Sequence, residues 1–358
     1  MDFNTAVQLE NPNRPAAVSI DPEVVDQDAI QVPYTPLSQQ SAPDSIKDKI
    51  NNAETLAPRN QRDAMIKALE RIEEKTGQPL VVYVAEQLGM SLEHVANNFH
   101  AEQIDAIAAA IYANEQGQGF TIGDQTGVGK GRFVAAMMLY AHRKGLVPIF
   151  MTYKKDLYRD MMRDILGITK GISDVPLELL PTDVAIKDVG RPINETTGKT
   201  DSRILPEFPT PRTRKSKSAK EYLEGLNEVV SRFEKTGQLT TEDGTKILGI
   251  ATAYTQYDGL NSVGRRAFLE RLVNSGKAMI IMDEAHEASG STNARMTNLK
   301  EQKKQKARKD AGKTFKEVLS HRSSFAMDLM FNKNLKGAVF SSATFAKRPD
   351  ALYLFMRA

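Results

Sequence analysis

The sequence predicts an α/β fold: a three-layer domain on a mostly parallel sheet, preceded by helices and a flexible leader. Three observations lead there. Short apolar runs alternate with amphipathic stretches at helical spacing, the pattern of βαβ crossovers. The runs, VPIFMT at 147–152 and KAMIIMD at 277–283 among them, suit strands buried on both faces, as parallel strands are. And 358 residues, 41% of them apolar and 26% charged, suffice for a sizeable core.

Residues 1–59 are rich in Pro, Asn, Gln and Asp and show no sustained periodicity, so they read as an acidic, Pro-rich, poorly ordered leader. The first sixty residues hold nine acids against four bases. Residues 60–98 read as an N-terminal helical region, where Ala64, Met65, Ala68, Leu69 and Ile72 recur at helical spacing and Gly77 supplies a stop. One domain is expected over 99–358. It opens with a helix, Phe99 to Glu115, which aligns Ile104, Ile107, Ala108 and Ile111 and ends at the turn Gly117–Gly119. FTIGD follows as a strand, Arg132 to Tyr140 as a helix, VPIFMT as a strand and Asp156 to Leu166 as a helix. After a break the alternation resumes with KILGIATAY (strand), Ser262 to Val273 (helix), KAMIIMD (strand), Phe315 to Met330 (helix) and LKGAVFSSAT (strand). Insertions are expected at about 171–245 and 291–325. The first is too long for a plain loop, and Ala219 to Thr236 within it reads as a helix. Both insertions are basic: the first carries PRTRKSKSAK, and Ser291 to Phe325 holds ten Lys or Arg against three acids.

There is no Cys, which excludes disulfide scaffolds, thiolate metal sites and cysteine nucleophiles, and five His argue against a multi-histidine metal centre. The N-terminal stretch lacks the charged and apolar regions of a secretory signal. No apolar run approaches the ~18 residues of a transmembrane helix, so a soluble, cytoplasmic protein without a membrane partner is expected.

The strongest local signal is GDQTGVGKGR, Gly123 to Arg132, placed after an apolar run and opening a helix. That is the context of a phosphate-binding loop. Thr126, Gly127, Val128, Gly129, Lys130, Gly131 and Arg132 are the candidate nucleotide-binding residues. The glycines let backbone N–H groups approach phosphate, Lys130 brings charge to the β- and γ-phosphates, and the helix start adds its own partial charge. Asp124 stands where the general pattern has Gly, and Gly131 replaces the Ser or Thr whose hydroxyl reaches Mg²⁺. The second signal is IIMDEAHEASG, Ile280 to Gly290. A strand-end Asp283 can hold Mg²⁺ through its water shell, and Glu284 can orient or deprotonate an attacking water. DEAH alone is four polar residues opening a loop; downstream of a phosphate loop in an α/β pattern it gains the catalytic reading. ATP and Mg²⁺ are the cofactors implied.

FSSATFAKRPD, Phe340 to Asp350, resembles the SAT motif of superfamily 2 helicases, which links the nucleotide site to the nucleic-acid groove. The resemblance implies that His286 of DEAH and the pair Ser342 and Thr344 couple the site to nucleic acid. Gln103, twenty residues before the phosphate loop, corresponds to the Gln that superfamily 2 proteins use to read adenine; a surface glutamine is the equal alternative. AEQIDAIAAAIYANEQGQGFTIGDQTGVGKGR resembles the start of the Strawberry notch family of helicase-like ATPases, whose phosphate loop also ends GVGKGR. YKKDLYRDMMRDILGI is similar to that family's stretch after the second strand, with Asp156, Leu157, Asp160, Arg163 and Asp164 in register. ATAYTQYDGL and SSATFAKRPDALYLFMRA resemble its motifs before and after DEAH, so the likeness runs in blocks from Phe99 to Ala358 outside the basic insertions. Phe345 and Ala285 depart from it, where the family tends to have Gly and Cys.

The resemblance implies the first RecA-like domain of a P-loop NTPase motor, with a second RecA-like domain elsewhere in the protein or in another chain. It implies ATP-driven remodelling of nucleic acid, DNA more than RNA. Lys300, Lys303, Lys304, Lys306, Arg308 and Lys309 admit two readings: a solvated helical face, or nonspecific contact with a phosphate backbone. A rival reading of the whole chain is a nucleotide-binding accessory or interaction module, of phage or mobile-element type, without motor activity.

Overall fold

The computed structural model describes residues 30–123, 129–176, 178–182, 218–240, 244, 246–258, 262–288, 292–314, 320–342 and 354–356. Thr126, Gly127, Val128, Thr344 and residues 1–29 lie outside that set.

The described residues begin with a short antiparallel pair, β1 (Gln31–Pro33) with β2 (Leu56–Pro58), and between them lie two single-turn helices, α1 (Leu37–Gln40) and α2 (Asp44–Lys47). The sequence reading places residues 30–58 in a poorly ordered leader; they are folded. Ala42, Ile46 and Ile50 enter the core, and Ser38 is fully buried with its hydroxyl donating to the Ala101 carbonyl at 2.9 Å. Three isolated apolar anchors and a few long-range polar bonds leave no period in the sequence, which is why composition suggests disorder.

Four helices follow: α3 (Arg59–Thr76), α4 (Leu80–Leu88), α5 (Leu92–Asn98) and α6 (Ala101–Glu115). Pro58 and Pro79 sit at the N-caps of α3 and α4, and Ser91 caps α5 by accepting the His94 N–H at 3.1 Å.

The sheet is built from β3 (Phe120–Ile122), β4 (Val147–Thr152), β5 (Leu179–Pro181), β6 (Gly249–Ala253), β7 (Ala278–Asp283) and β8 (Gly337–Ser341). All its pairings are parallel, in the order β3-β8-β7-β4-β6-β5. Helices α7 (Lys130–Arg143), α8 (Leu157–Thr169), α9 (Ser218–Thr236), α10 (Val263–Asn274), α11 (Thr292–Asp310) and α12 (Arg322–Met330) connect the strands. Alternation along each strand divides the core into two layers. Val147, Ile149 and Met151 of β4 and Ala278, Ile280 and Met282 of β7 pack with Val230 and Phe233 of α9 and Leu269 and Leu272 of α10. Phe150, Met279 and Ile281 face the other way, onto α6, α7 and α8 through Ile107, Phe133, Met137 and Met161. Both faces are therefore covered, and the three-layer α/β fold stands as read from the doubly apolar runs.

Three elements lie within the expected insertions or begin there. β5, inside the first insertion, is the edge strand beyond β6. α11 is a helix of 19 residues inside the second insertion. α12 begins only at Arg322, because the His321 ring caps it by accepting the Ser323 N–H at 3.2 Å, so Ser320 and His321 are not part of the helix expected to start at Phe315.

Candidate nucleotide site

Parallel strands put all their C-terminal ends on one edge, and the chain leaves β3 for β4 across β8 and β7, so this edge contains a switch in strand order of the kind that forms ligand crevices. Gly129 and Lys130 open α7 after β3, Thr152 ends β4, Asp283 ends β7 and Ser341 ends β8. Lys130 and DEAH, far apart in sequence, come together there.

Asp283 pairs in register with Ser341, whose hydroxyl donates to Oδ1 at 3.2 Å; Thr152 Oγ1 lies 3.4 Å from Oδ2. Burial pushes the Asp283 carboxyl above the ordinary carboxylate range, and the Glu284 charge adds to this. The Ser341 hydroxyl, the Glu284 backbone N–H and the Lys130 charge pull it back. Tyr254, which follows β6 in a 3₁₀ turn (Tyr254–Tyr257), donates its hydroxyl to the Asp283 carbonyl at 2.6 Å, with the Met151 carbonyl 3.1 Å away. One buried phenol thereby clamps the ends of β4 and β7. Burial and the Asp283 charge keep that phenol protonated. The sequence reading quotes the stretch around Tyr254 without giving it a role.

Glu284 has φ 48° and ψ 47°, a left-handed backbone that costs a non-glycine residue on the order of 1–3 kcal/mol. It is held by a 3₁₀ turn (Ala285–Glu287), in which Glu287 N donates to the Glu284 carbonyl at 2.9 Å, and by the full burial of Ala285. The strain falls on the residue assigned to the attacking water. His286 follows, with Nδ1 2.7 Å from Ser342 Oγ and 3.3 Å from Glu284 Oε2, and Nε2 3.1 Å from Glu287 Oε1. Ser342 N in turn donates to the Ile122 carbonyl at the end of β3, at 3.1 Å. A short polar chain therefore joins DEAH, the residue after β8 and the strand that feeds the phosphate loop.

Gly129 is left-handed, φ 80°, and starts α7. Its carbonyl accepts Gln103 Nε2 at 3.0 Å, while Gln103 Oε1 accepts the His100 N–H at 3.0 Å in a capping box at the head of α6. A Cβ on Gly129 would collide with that amide, so only glycine fits. Gln103 is thus buried against the phosphate loop rather than exposed on a surface. Arg132 anchors the same turn by donating to the Asn98 carbonyl at 2.6 Å.

Lys300, Lys303, Lys304, Lys306, Arg308 and Lys309 are all exposed on α11. They lie in two rows: Lys300, Lys304 and Arg308 at i, i+4, i+8, and Lys303, Lys306 and Lys309 at i, i+3, i+6. They do not join the strand-end cluster.

No set of three His, Asp or Glu that could hold a metal occurs among the described residues. The oxygen donors at the strand ends instead suit a hard cation shared between one carboxylate and a ligand's phosphates, which is how Mg²⁺ is bound with nucleotides. Phosphate itself fits a helix start opened by a left-handed glycine and a lysine. Among the described residues no helix is long and apolar enough to cross a membrane.

A six-stranded parallel sheet flanked by helices, with a Gly-Lys helix start after its edge strand and a carboxylate closing a central strand, is the three-layer architecture of a RecA-like P-loop domain. Residues 37–199 match the family model described as P-loop containing NTP hydrolase pore-1. That range takes in the segment from α1 onward, the phosphate-loop sequence and α8, and the family's description is of nucleotide hydrolysis. None of the curated proteins matches the chain.

Proposed function

We propose that this chain binds ATP and Mg²⁺ as the first motor domain of a Strawberry notch-like superfamily 2 helicase or translocase, and remodels nucleic acid once a second RecA-like domain completes the site. Lys130 and the N–H groups at the head of α7 hold the phosphates. Asp283 holds the metal, and Glu284 orients the attacking water. Bound Mg²⁺ supplies neutralising charge between the β- and γ-phosphates. Gln103, which donates to the Gly129 carbonyl, reads the adenine edge in this reading. The exposed bases of α11 contact a nucleic-acid backbone without reading sequence, DNA more than RNA.

The observation that carries the helicase reading is the contact of His286 Nδ1 with Ser342 Oγ at 2.7 Å. A simple nucleotide binder has no need to join its metal strand to the segment after β8. In a motor that link moves the nucleic-acid side when Glu284 senses the γ-phosphate.

The test is calorimetry of ATP–Mg²⁺ binding with and without single-stranded DNA. Lys130→Ala should weaken binding at least about tenfold, the effect of ~1.4 kcal/mol, and unchanged affinity would refute the assignment. Glu284→Gln should bind ATP normally and lose turnover. If turnover and DNA affinity are both indifferent to Glu284→Gln, the chain is a nucleotide-binding accessory module instead.

A further inference from the structure

We propose that Asp164 on α8 supplies the loop-side oxygen for the metal that Gly131 lacks, a reading that rests on the nucleotide assignment above. In phosphate loops the residue after the lysine is Ser or Thr, and its hydroxyl reaches Mg²⁺. Here that residue is Gly131, in the first turn of α7.

The volume its side chain would take is already filled. A Cβ built on Gly131 collides with Asp164 Oδ2, and lies 3.0 Å from Asp164 Cγ and 3.8 Å from Asp164 Cβ. A carboxylate oxygen delivered from α8 therefore stands where the root of the missing hydroxyl side chain would be. The two positions are reciprocal: Asp164 can reach this point only because residue 131 has no side chain, and a Ser at 131 would require Asp164 to withdraw.

The carboxylate is divided between two tasks. Oδ1 faces its neighbour on the helix, with Arg163 Nε and Nη2 each 3.3 Å away. Oδ2 faces Gly131, and no described residue donates a hydrogen bond to it. The side chain is 20% exposed. Arg163 on its own helix and Arg132 in the first turn of α7 both favour its charged form, and it stands beside the residue that follows Lys130. An anion beside the residue that follows Lys130 repels a triphosphate, whereas with a metal between them the same anion becomes a ligand or a hydrogen-bond acceptor for the metal's water.

The metal-linked part of nucleotide affinity tests this without measuring turnover. Calorimetry with ATP is run in Mg²⁺ and in EDTA, and Mn²⁺ bound in the presence of ADP is counted by electron paramagnetic resonance. Wild type, Asp164→Asn, Asp164→Ala and the double variant Asp164→Ala with Gly131→Ser are compared. Removing a metal ligand or its water partner typically costs about 10–100-fold in metal affinity, so both single variants should lose that much of the Mg²⁺-dependent gain. Their affinity in EDTA should stay equal to wild type or rise. The double variant restores the usual Lys-Ser pattern and should recover the gain. Asp164 variants with the wild-type Mg²⁺-dependent gain would overturn the proposal, as would single-variant losses that the double variant fails to recover. Failure of the nucleotide reading looks different: wild type then binds no ATP in either condition, and Lys130→Ala changes nothing.

Discussion

Replacing Asp105 by Asn should leave the protein nearly as stable at pH 7.5 and measurably less stable at pH 4. Asp105 lies in α6, fully buried, and holds the N-terminal segment through three hydrogen bonds. Oδ2 accepts the Tyr34 hydroxyl at 2.6 Å and the Leu37 N–H at 2.9 Å, and Oδ1 accepts the Ser38 N–H at 2.9 Å. Burial nevertheless dominates and pushes the carboxyl from 3.8 up to about 6, the hydrogen bonds from Tyr34, Ser38 and Leu37 pulling it partly back. The folded state thus disfavours the ionised form. The stability this group contributes is fully present below its unfolded value of 3.8, is lost as pH rises toward about 6, and changes no further above that. A shift of roughly two units corresponds to about 3 kcal/mol across the window, most of it available by pH 4.

An Asn has one acceptor oxygen where Asp has two. With that oxygen in the Oδ2 position it keeps Tyr34 and Leu37 but turns its NH₂ onto the Ser38 N–H, and one orphaned buried donor costs ~1–3 kcal/mol. At pH 7.5 relief from burying a charge offsets that cost. At pH 4 the wild type is protonated and the relief is gone, so the gap should widen toward wild type by on the order of 2 kcal/mol. The assay is thermal unfolding followed by far-UV circular dichroism from pH 4 to 7.5, since the chain has no Trp to report by fluorescence. Hydrogen exchange at the Leu37 and Ser38 amides adds a local measure. Asp105→Ala orphans all three donors and should release the segment at every pH, raising exchange there by about a hundredfold for each ~2.8 kcal/mol lost. Parallel pH profiles for wild type and Asp105→Asn would refute the argument, because they would mean that Asp105 does not titrate across the folding equilibrium.

Tyr254→Phe removes the buried donor to the Asp283 carbonyl and should cost ~1–3 kcal/mol of stability; its functional mark should be weaker Mg²⁺-dependent nucleotide binding than its EDTA affinity predicts, and a purely thermal effect would place Tyr254 in the core alone. Reversing Lys300, Lys304 and Arg308 to Glu should weaken single-stranded DNA binding and flatten its salt dependence by about one unit of slope for each phosphate left unneutralised. An unchanged slope would make that row a solvated face.

What can be read from the sequence follows from how each element is stabilised. β4 and β7 are buried on both faces, so VPIFMT and KAMIIMD announce themselves as strands, and Lys130, Asp283 and Ser342 fall at strand or helix ends because each motif follows an apolar run. β5 is three residues ending in Pro181, too short to carry a period, and only pairing with β6 makes it a strand. α11 has its bases on two rows, which masks any apolar face. Asp164 is visible in the sequence, but its meaning depends on Gly131, thirty-odd positions away and on another helix.

The buried polar residues of α6 account for both the misread N-terminal segment and the placement of the site. Gln103 fixes the Gly129 carbonyl at the phosphate loop, and Asp105, two positions on, fixes Tyr34, Leu37 and Ser38. At the other end Asn114 Oδ1 accepts the Ala338 N–H of β8 at 2.9 Å, and its own NH₂ is spent on the Ala110 carbonyl at 2.8 Å. The pairing of β3 with β8 begins only at Phe120 and Val339, so Asn114 satisfies a buried amide that the edge strand is too short to reach. Three buried polar side chains on one helix thus tie together the N-terminal segment, the start of the phosphate-loop helix, and the strand that ends in Ser341. A helix that carried only its apolar stripe would pack on the sheet equally well but would leave the loop and β8 free to shift against each other. The hydrophobic pattern sets the layer, and the polar residues set the register in which Lys130, Asp283 and Ser342 meet.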